Sequence, residues 1–139
     1  MRKHIVPDVI AGQHLVVLST DDSAFDAAKQ MAKYKVKSVL VLKGEKLAGI
    51  ITVSDLVGRV LARDRDPKTT KLSSVMTKNP TTVEASESPV RALRIMDEGG
   101  FWHIPVTDKG GVVGVLSRSD FEGAEFHESE HQWSLWNVR

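Results

Sequence analysis

Two stretches of the chain share one pattern: glycine, two apolar residues, a hydroxyl residue, one variable residue, then Ser-Asp. They are Gly49-Ile50-Ile51-Thr52-Val53-Ser54-Asp55 and Gly114-Val115-Leu116-Ser117-Arg118-Ser119-Asp120. Each stands where an apolar strand is expected to end and a helix to begin. Exposed backbone N–H groups at such a junction favour an anion, and the hydroxyl of Thr52 or Ser117 adds a donor. The aspartate three residues on lies about one helical turn away, and its carboxylate can accept two hydrogen bonds from a vicinal diol. A hydroxyl for phosphate and a carboxylate for ribose describe a nucleotide clamp. The same spacing also describes a capping box, with Thr or Ser as N-cap and Asp as third helical residue. Recurrence of the pattern favours the clamp.

A second cluster, His127-Glu128-Ser129-Glu130-His131, matches His-Glu-x-x-His and its inverted form. On a helix the two histidines could share a zinc ion with Glu128 as base, which would make a small metallohydrolase. The intervening residues are polar, and only eight residues follow His131 to supply a third ligand. A solvated helix end is the better reading, so no catalytic metal and no enzyme are expected. No Gly-x-Ser-x-Gly, Walker-type loop or dinucleotide glycine turn is present.

The elements that must position the two aspartates are themselves duplicated. Residues 18–56 laid on 83–121 at a constant offset of 65 need no gap and share seven identities, among them Ser23/Ser88, Met31/Met96, Gly49/Gly114 and Asp55/Asp120. Between these, Val39 faces Ile104, Leu47 faces Val112 and Thr52 faces Ser117. Each copy reads strand, helix, strand, strand, helix. The strands are Leu15 to Leu18, Val39 to Leu42 and Leu47 to Ile51, then Thr81 to Val83, Ile104 to Thr107 and Val112 to Leu116. Short Gly-containing connections between the later pairs suit hairpins. The first helices carry Phe25, Ala28 and Met31, or Val90, Leu93 and Met96, as their expected apolar faces, with Ser23 or Ser88-Pro89 at the start. Residues 63–73 are polar, contain a proline and read as the connection. The expected fold is therefore α/β (α+β), with copies at 1–66 and 67–139. Two such small units are expected to pack through their sheets about a pseudo-twofold axis, lining a cleft twice.

Composition bounds the rest. The chain has 139 residues, 41% hydrophobic and 27% charged, within the range of one soluble globular domain. Absence of cysteine excludes disulfides, thiolate zinc sites and cysteine nucleophiles. No apolar run is long enough to span a membrane, and residues 1–8 lack a secretory leader's apolar stretch, so a cytoplasmic location is expected. Nineteen basic against eighteen acidic residues leave a net charge of +1, with no segment read as basic enough for a nucleic-acid partner.

The duplicated pattern resembles a pair of cystathionine-β-synthase (CBS) domains, a regulatory module, over residues 5–126. The resemblance rests on Val75-Met76-Thr77-x-Asn79-Pro80, on Phe101-Trp102-His103-Ile104-Pro105-Val106 and on both Gly-to-Asp segments. It implies an effector such as AMP, ADP, ATP or NAD, rather than a catalytic cofactor. By the same resemblance Asp55 and Asp120 hold ribose, Thr52 and Ser117 hold phosphate, and the neighbouring Ser54 and Ser119 line the sites. The first-strand region (Thr82) and the strand before each hairpin (Ser38 and Val39; Ile104 and Pro105) would frame adenine. Lys37, His103 and Arg118 are candidate phosphate partners, and Trp102 is a candidate base-stacking ring. Against this stands packing for Trp102 and a satisfied structural role for His103. A homodimer through the helices and an unnamed regulated partner protein are implied as well. Trp133 and Trp136 are expected to cover the sheet or a partner subunit.

Overall fold

A computed structural model describes residues 3–8 and 15–121. The chain divides into two compact units, one of residues 14–81 and one joining 1–13 to 82–139. The first contains a four-stranded sheet in the order β1 (Val17–Ser19), β2 (Ser38–Lys43), β3 (Lys46–Thr52), β4 (Thr77–Lys78). The second contains a three-stranded sheet, β5 (Val83–Glu84), β6 (His103–Asp108) and β7 (Gly111–Ser117). In each, the first strand runs parallel to the second and the second antiparallel to the third.

The register carries the duplication into three dimensions. Ser38 pairs with Thr52 and His103 with Ser117, both shifted by the same 65 residues. The irregularity between Val41 and Leu42 recurs between Val106 and Thr107. One difference has a plain cause. Leu40 donates its N–H to Val16 O at 3.0 Å, whereas the equivalent Pro105 has no N–H to give. Strand β5 accordingly begins one residue later than β1 and leaves Thr82 outside it.

Helix α1 (Ala24–Tyr34) follows β1, and α3 (Pro89–Gly99) follows β5. Ser23 caps α1 in a full capping box with Asp26, and Pro89 opens α3. The buried faces match the expected ones at Met31, Leu93 and Met96 and depart from them elsewhere. Ala24, Ala27 and Met31 point inward, while Phe25 stays 37% exposed; in α3, Ala92, Leu93 and Met96 are buried and Val90 is exposed. Steps of three fall about 60° short of a full turn each time, so a face built on threes alone winds off the core. Mixed steps of three and four stay on it.

The polar connection is not a bare linker. Thr70 O and Pro67 O accept the N–H groups of Ala24 and Phe25, two donors that the first turn of α1 leaves unpaired. Leu72 and Val75 then enter the core with Val39, Ile51 and Val60. Conversely, the segment beginning at Ile5, expected with the first copy, joins the second unit. Ile5 N donates to Glu87 O, Val6 N donates to Ala85 O, and the Ile5 side chain is fully buried beside Met96 and Phe121.

Charge follows the same division. Residues 14–81 hold 12 basic and 7 acidic side chains, and the remainder holds 7 and 11. The near-zero total thus conceals +5 against −4, correcting the expectation that no segment has a basic excess. No helix among the described residues is long and apolar enough to cross a membrane.

Candidate functional site

In both units the hydroxyl residue ends the third strand and the aspartate lies in the turn beyond it. Gly49 can hold its place in β3 because it has no side chain. A Cβ there would come within 2.5 Å of Met76 Sδ and 2.7 Å of Thr77 O, where β4 crosses. After β3 a single α-turn, α2 (Val53–Asp55), runs directly into a π-helix over Leu56–Leu61. After β7 the equivalent residues, Arg118–Phe121, form a 3-10 turn.

Thr52 is the N-cap of α2. Its Oγ1 accepts Asp55 N–H at 3.3 Å, and Asp55 Oδ2 accepts the Thr52 N–H at 2.9 Å and hydroxyl at 3.0 Å. The capping geometry, offered above as the alternative to a clamp, is therefore present. It engages only Oδ2. Oδ1 faces Arg59 Nε at 3.5 Å, and the Asp55 side chain is 14% exposed. In the second unit Asp120 Oδ2 accepts Ser117 N–H at 2.7 Å, while the Ser117 hydroxyl accepts the Ser119 N–H and shares a short hydrogen bond with its hydroxyl. Asp120 is exposed, more open than its counterpart.

The other candidates fall into two groups. Lys37, Ser38 and Thr52 come together: Ser38 opposes Thr52, and Lys37 O accepts Val53 N–H, with the Lys37 side chain exposed. Ser54 is exposed beside them and Thr82 is exposed before β5. Val39, Ile104 and Pro105, expected to frame an adenine ring, are buried. His103, half-buried, opposes Ser117.

Arg118 does not sit where a phosphate could reach it. Its side chain is fully buried; Nε donates to Phe101 O at 3.1 Å, Nη2 donates to Met96 O at 2.9 Å, and Nη1 lies 3.1 Å from Asp97 Oδ1. Burial pushes this guanidinium below its ordinary pKa, and the Asp97 carboxylate opposes the shift. The Trp102 ring stacks on it at 4.8 Å, so that face is already covered. Trp102 itself is half-buried.

The sequence reading missed Arg59. Its signal was the i, i+4 spacing from Asp55, which places two opposite charges on one helical face. The cluster His127, Glu128, His131 and the tryptophans Trp133 and Trp136 lie outside the described residues. Among those described, no group of three or more His, Asp or Glu side chains is placed to hold a metal.

Comparison with known proteins adds three findings. The family model for the CBS domain matches residues 6–62 and 72–124. A CBS domain-containing protein of Arabidopsis thaliana, CBSCBSPB2, is 38% identical over 97 residues, covering 70% of this chain. The chain spans only 18–20% of the length of such plant relatives. Among solved structures, a protein with CBS domains from Burkholderia ambifaria MC40-6 is 32% identical with a TM-score of 0.74, covering 78% of this chain and 80% of its own. A CBS domain pair solved in complex with 5′-methylthioadenosine and S-adenosyl-L-methionine is 25% identical, with a TM-score of 0.74 and coverage of 83% and 93%.

Proposed function

The chain belongs to the CBS-domain family as a tandem pair, and from that premise we propose that it is a regulatory binding module for an adenosine-containing ligand. Asp55 and Asp120 accept hydrogen bonds from the ribose hydroxyls. Thr52, Ser117 and the exposed Lys37 serve a phosphate when the ligand is AMP, ADP, ATP or NAD. Binding alters a partner protein, and the pair works as a homodimer. No catalytic step belongs to this reading.

One observation carries it. The cap consumes Oδ2 of Asp55 and leaves acceptor capacity on Oδ1, out of roughly four lone-pair sites on a carboxylate. The two ligands in the similar solved pair share adenosine and lack phosphate, which gives ribose recognition more weight than phosphate recognition. The net positive charge of residues 14–81 favours an anionic ligand there.

A second reading has its own observation. The Thr52–Asp55 and Ser117–Asp120 bonds engage one oxygen of each carboxylate in a local cap, a role that a structural pair without ligand also requires. Thermal melting with AMP, ADP, ATP, NAD, methylthioadenosine and S-adenosylmethionine separates the two. At about 100 times Kd, each occupied site adds roughly 2.7 kcal/mol. Asp55→Ala and Asp120→Ala should each remove part of the ligand-induced rise, and together nearly all. A double variant that responds like wild type removes the aspartates from the site, and no response to any compound favours the structural pair.

A further inference from the structure

Arg59 is fixed at one end before it meets Asp55. Its Nη1 donates to the carbonyls of Val75 at 3.1 Å and Met76 at 3.3 Å, and both of those residues are buried. The same guanidinium presents Nε to Asp55 Oδ1 at 3.5 Å. Surface ion pairs are ordinarily weak, in part because two long side chains must be ordered to make them. Here the carbonyls have ordered the arginine already, and the Thr52 cap has ordered the aspartate.

We propose that Arg59 is a positioning residue for ligand recognition by Asp55, an arginine that the second copy does not repeat in sequence. The residue 65 positions on is Ala124, so no guanidinium stands four residues after Asp120. Because the cap occupies Oδ2, a ribose diol must meet Asp55 at Oδ1, and it finds those lone pairs only if the carboxylate plane is held. The cap fixes Oδ2; the anchored guanidinium fixes Oδ1 in the same plane. The ordering cost is met before the ligand arrives, which raises affinity for the intact diol in particular.

The proposal rests on the adenosine reading above, and the experiment keeps the two apart. Calorimetry is carried out on the full chain bearing Asp120→Ala, so that the first unit alone reports. The compounds are adenosine 5′-monophosphate and its 2′-deoxy form, with Arg59, Arg59→Ala and Arg59→Lys compared. Loss of Arg59 should narrow the ribo-to-deoxy affinity ratio by about two- to fivefold, the span of an exposed-to-partly-buried ion pair. Arg59→Lys should fall between, because one ammonium cannot hold the carbonyls and the carboxylate together. It also supplies the comparison should Arg59→Ala not fold. A merely structural arginine would lower both affinities together, so an unchanged ratio in folded variants overturns the proposal and leaves the adenosine reading standing. Failure of the Arg59 protein to bind either compound overturns both.

Discussion

The Arg118 guanidinium lies 4.8 Å from the Trp102 ring centre while its Nη2 donates to Met96 O. One buried cation thereby ties the C-terminal end of α3 to the strand pair that carries Asp120. Helix ends leave four carbonyls without intrahelical partners, and a cation beside them also meets the negative end of the helix dipole. The first copy has Val53 at this position and makes no such tie.

Arg118→Met, which keeps apolar bulk but no donor, should therefore destabilise the protein by about 2–3 kcal/mol. Arg118→Lys should recover little, since an ammonium cannot fork between Met96 O, Phe101 O and Asp97. Urea titration measures both. A loss below about 0.5 kcal/mol for Arg118→Met would show that these bonds merely replace bonds to water.

The C-caps of the first helices offer a paired test. Lys35 has φ 55° and ψ 43°, and the equivalent Gly100 has φ 72° and ψ 24°. A side chain in this left-handed region costs about 1–2 kcal/mol, against about 0.5–1 kcal/mol of chain entropy for glycine. Lys35→Gly should raise stability by about 0.5–1 kcal/mol, and Gly100→Lys should lower it by a similar amount. Thermal melts with opposite signs are the expected result; equal signs would refute the argument.

Stability should also decline in acid through the cap of α1. The Ser23 backbone N–H, reinforced by its hydroxyl, holds the Asp26 carboxyl below its ordinary value of 3.8. A carboxyl depressed on folding contributes fully above its unfolded value and loses that contribution as pH falls through the folded one. Between pH 5 and roughly 2 the wild type should lose more stability than Asp26→Asn. Ser23→Ala should cost about 1 kcal/mol at neutral pH and reduce the acid slope as well. Parallel slopes in wild type and Asp26→Asn would assign the acid sensitivity elsewhere.

Ribose recognition gives a direct prediction for the ligand. Hydrogen bonds to charged groups are worth about 1.5–3 kcal/mol, so deleting the 2′-hydroxyl should weaken binding roughly ten- to a hundredfold. A carboxylate that only caps its own backbone imposes no such preference. Titration calorimetry with the ribo and deoxy forms distinguishes them, and equal affinities would leave Asp55 and Asp120 with the cap alone.

The repeat, the strand pairs and the family were legible in the sequence because hydrophobic runs, turn residues and a constant offset are local or periodic signals. Ser38 opposite Thr52 and His103 opposite Ser117 follow once that offset is seen, for hairpin register is set by a short turn. Other features depended on long-range packing. Residues 3–8 join the second unit because Ile5 is buried in its core with Met96, Ile104 and Phe121, which no count of residues along the chain reveals. Arg118 is a basic residue in a motif that suggests phosphate, yet it is buried because Met96 O, Phe101 O and Asp97 converge on it from residues some twenty positions away. Arg59 reaches Val75 and Met76 in the same way. Sequence determined which residues can carry a charge or a hydroxyl. Only tertiary structure decided which of those groups its own carbonyls had already engaged, because the acceptors arrive from distant segments brought together by burial of the core.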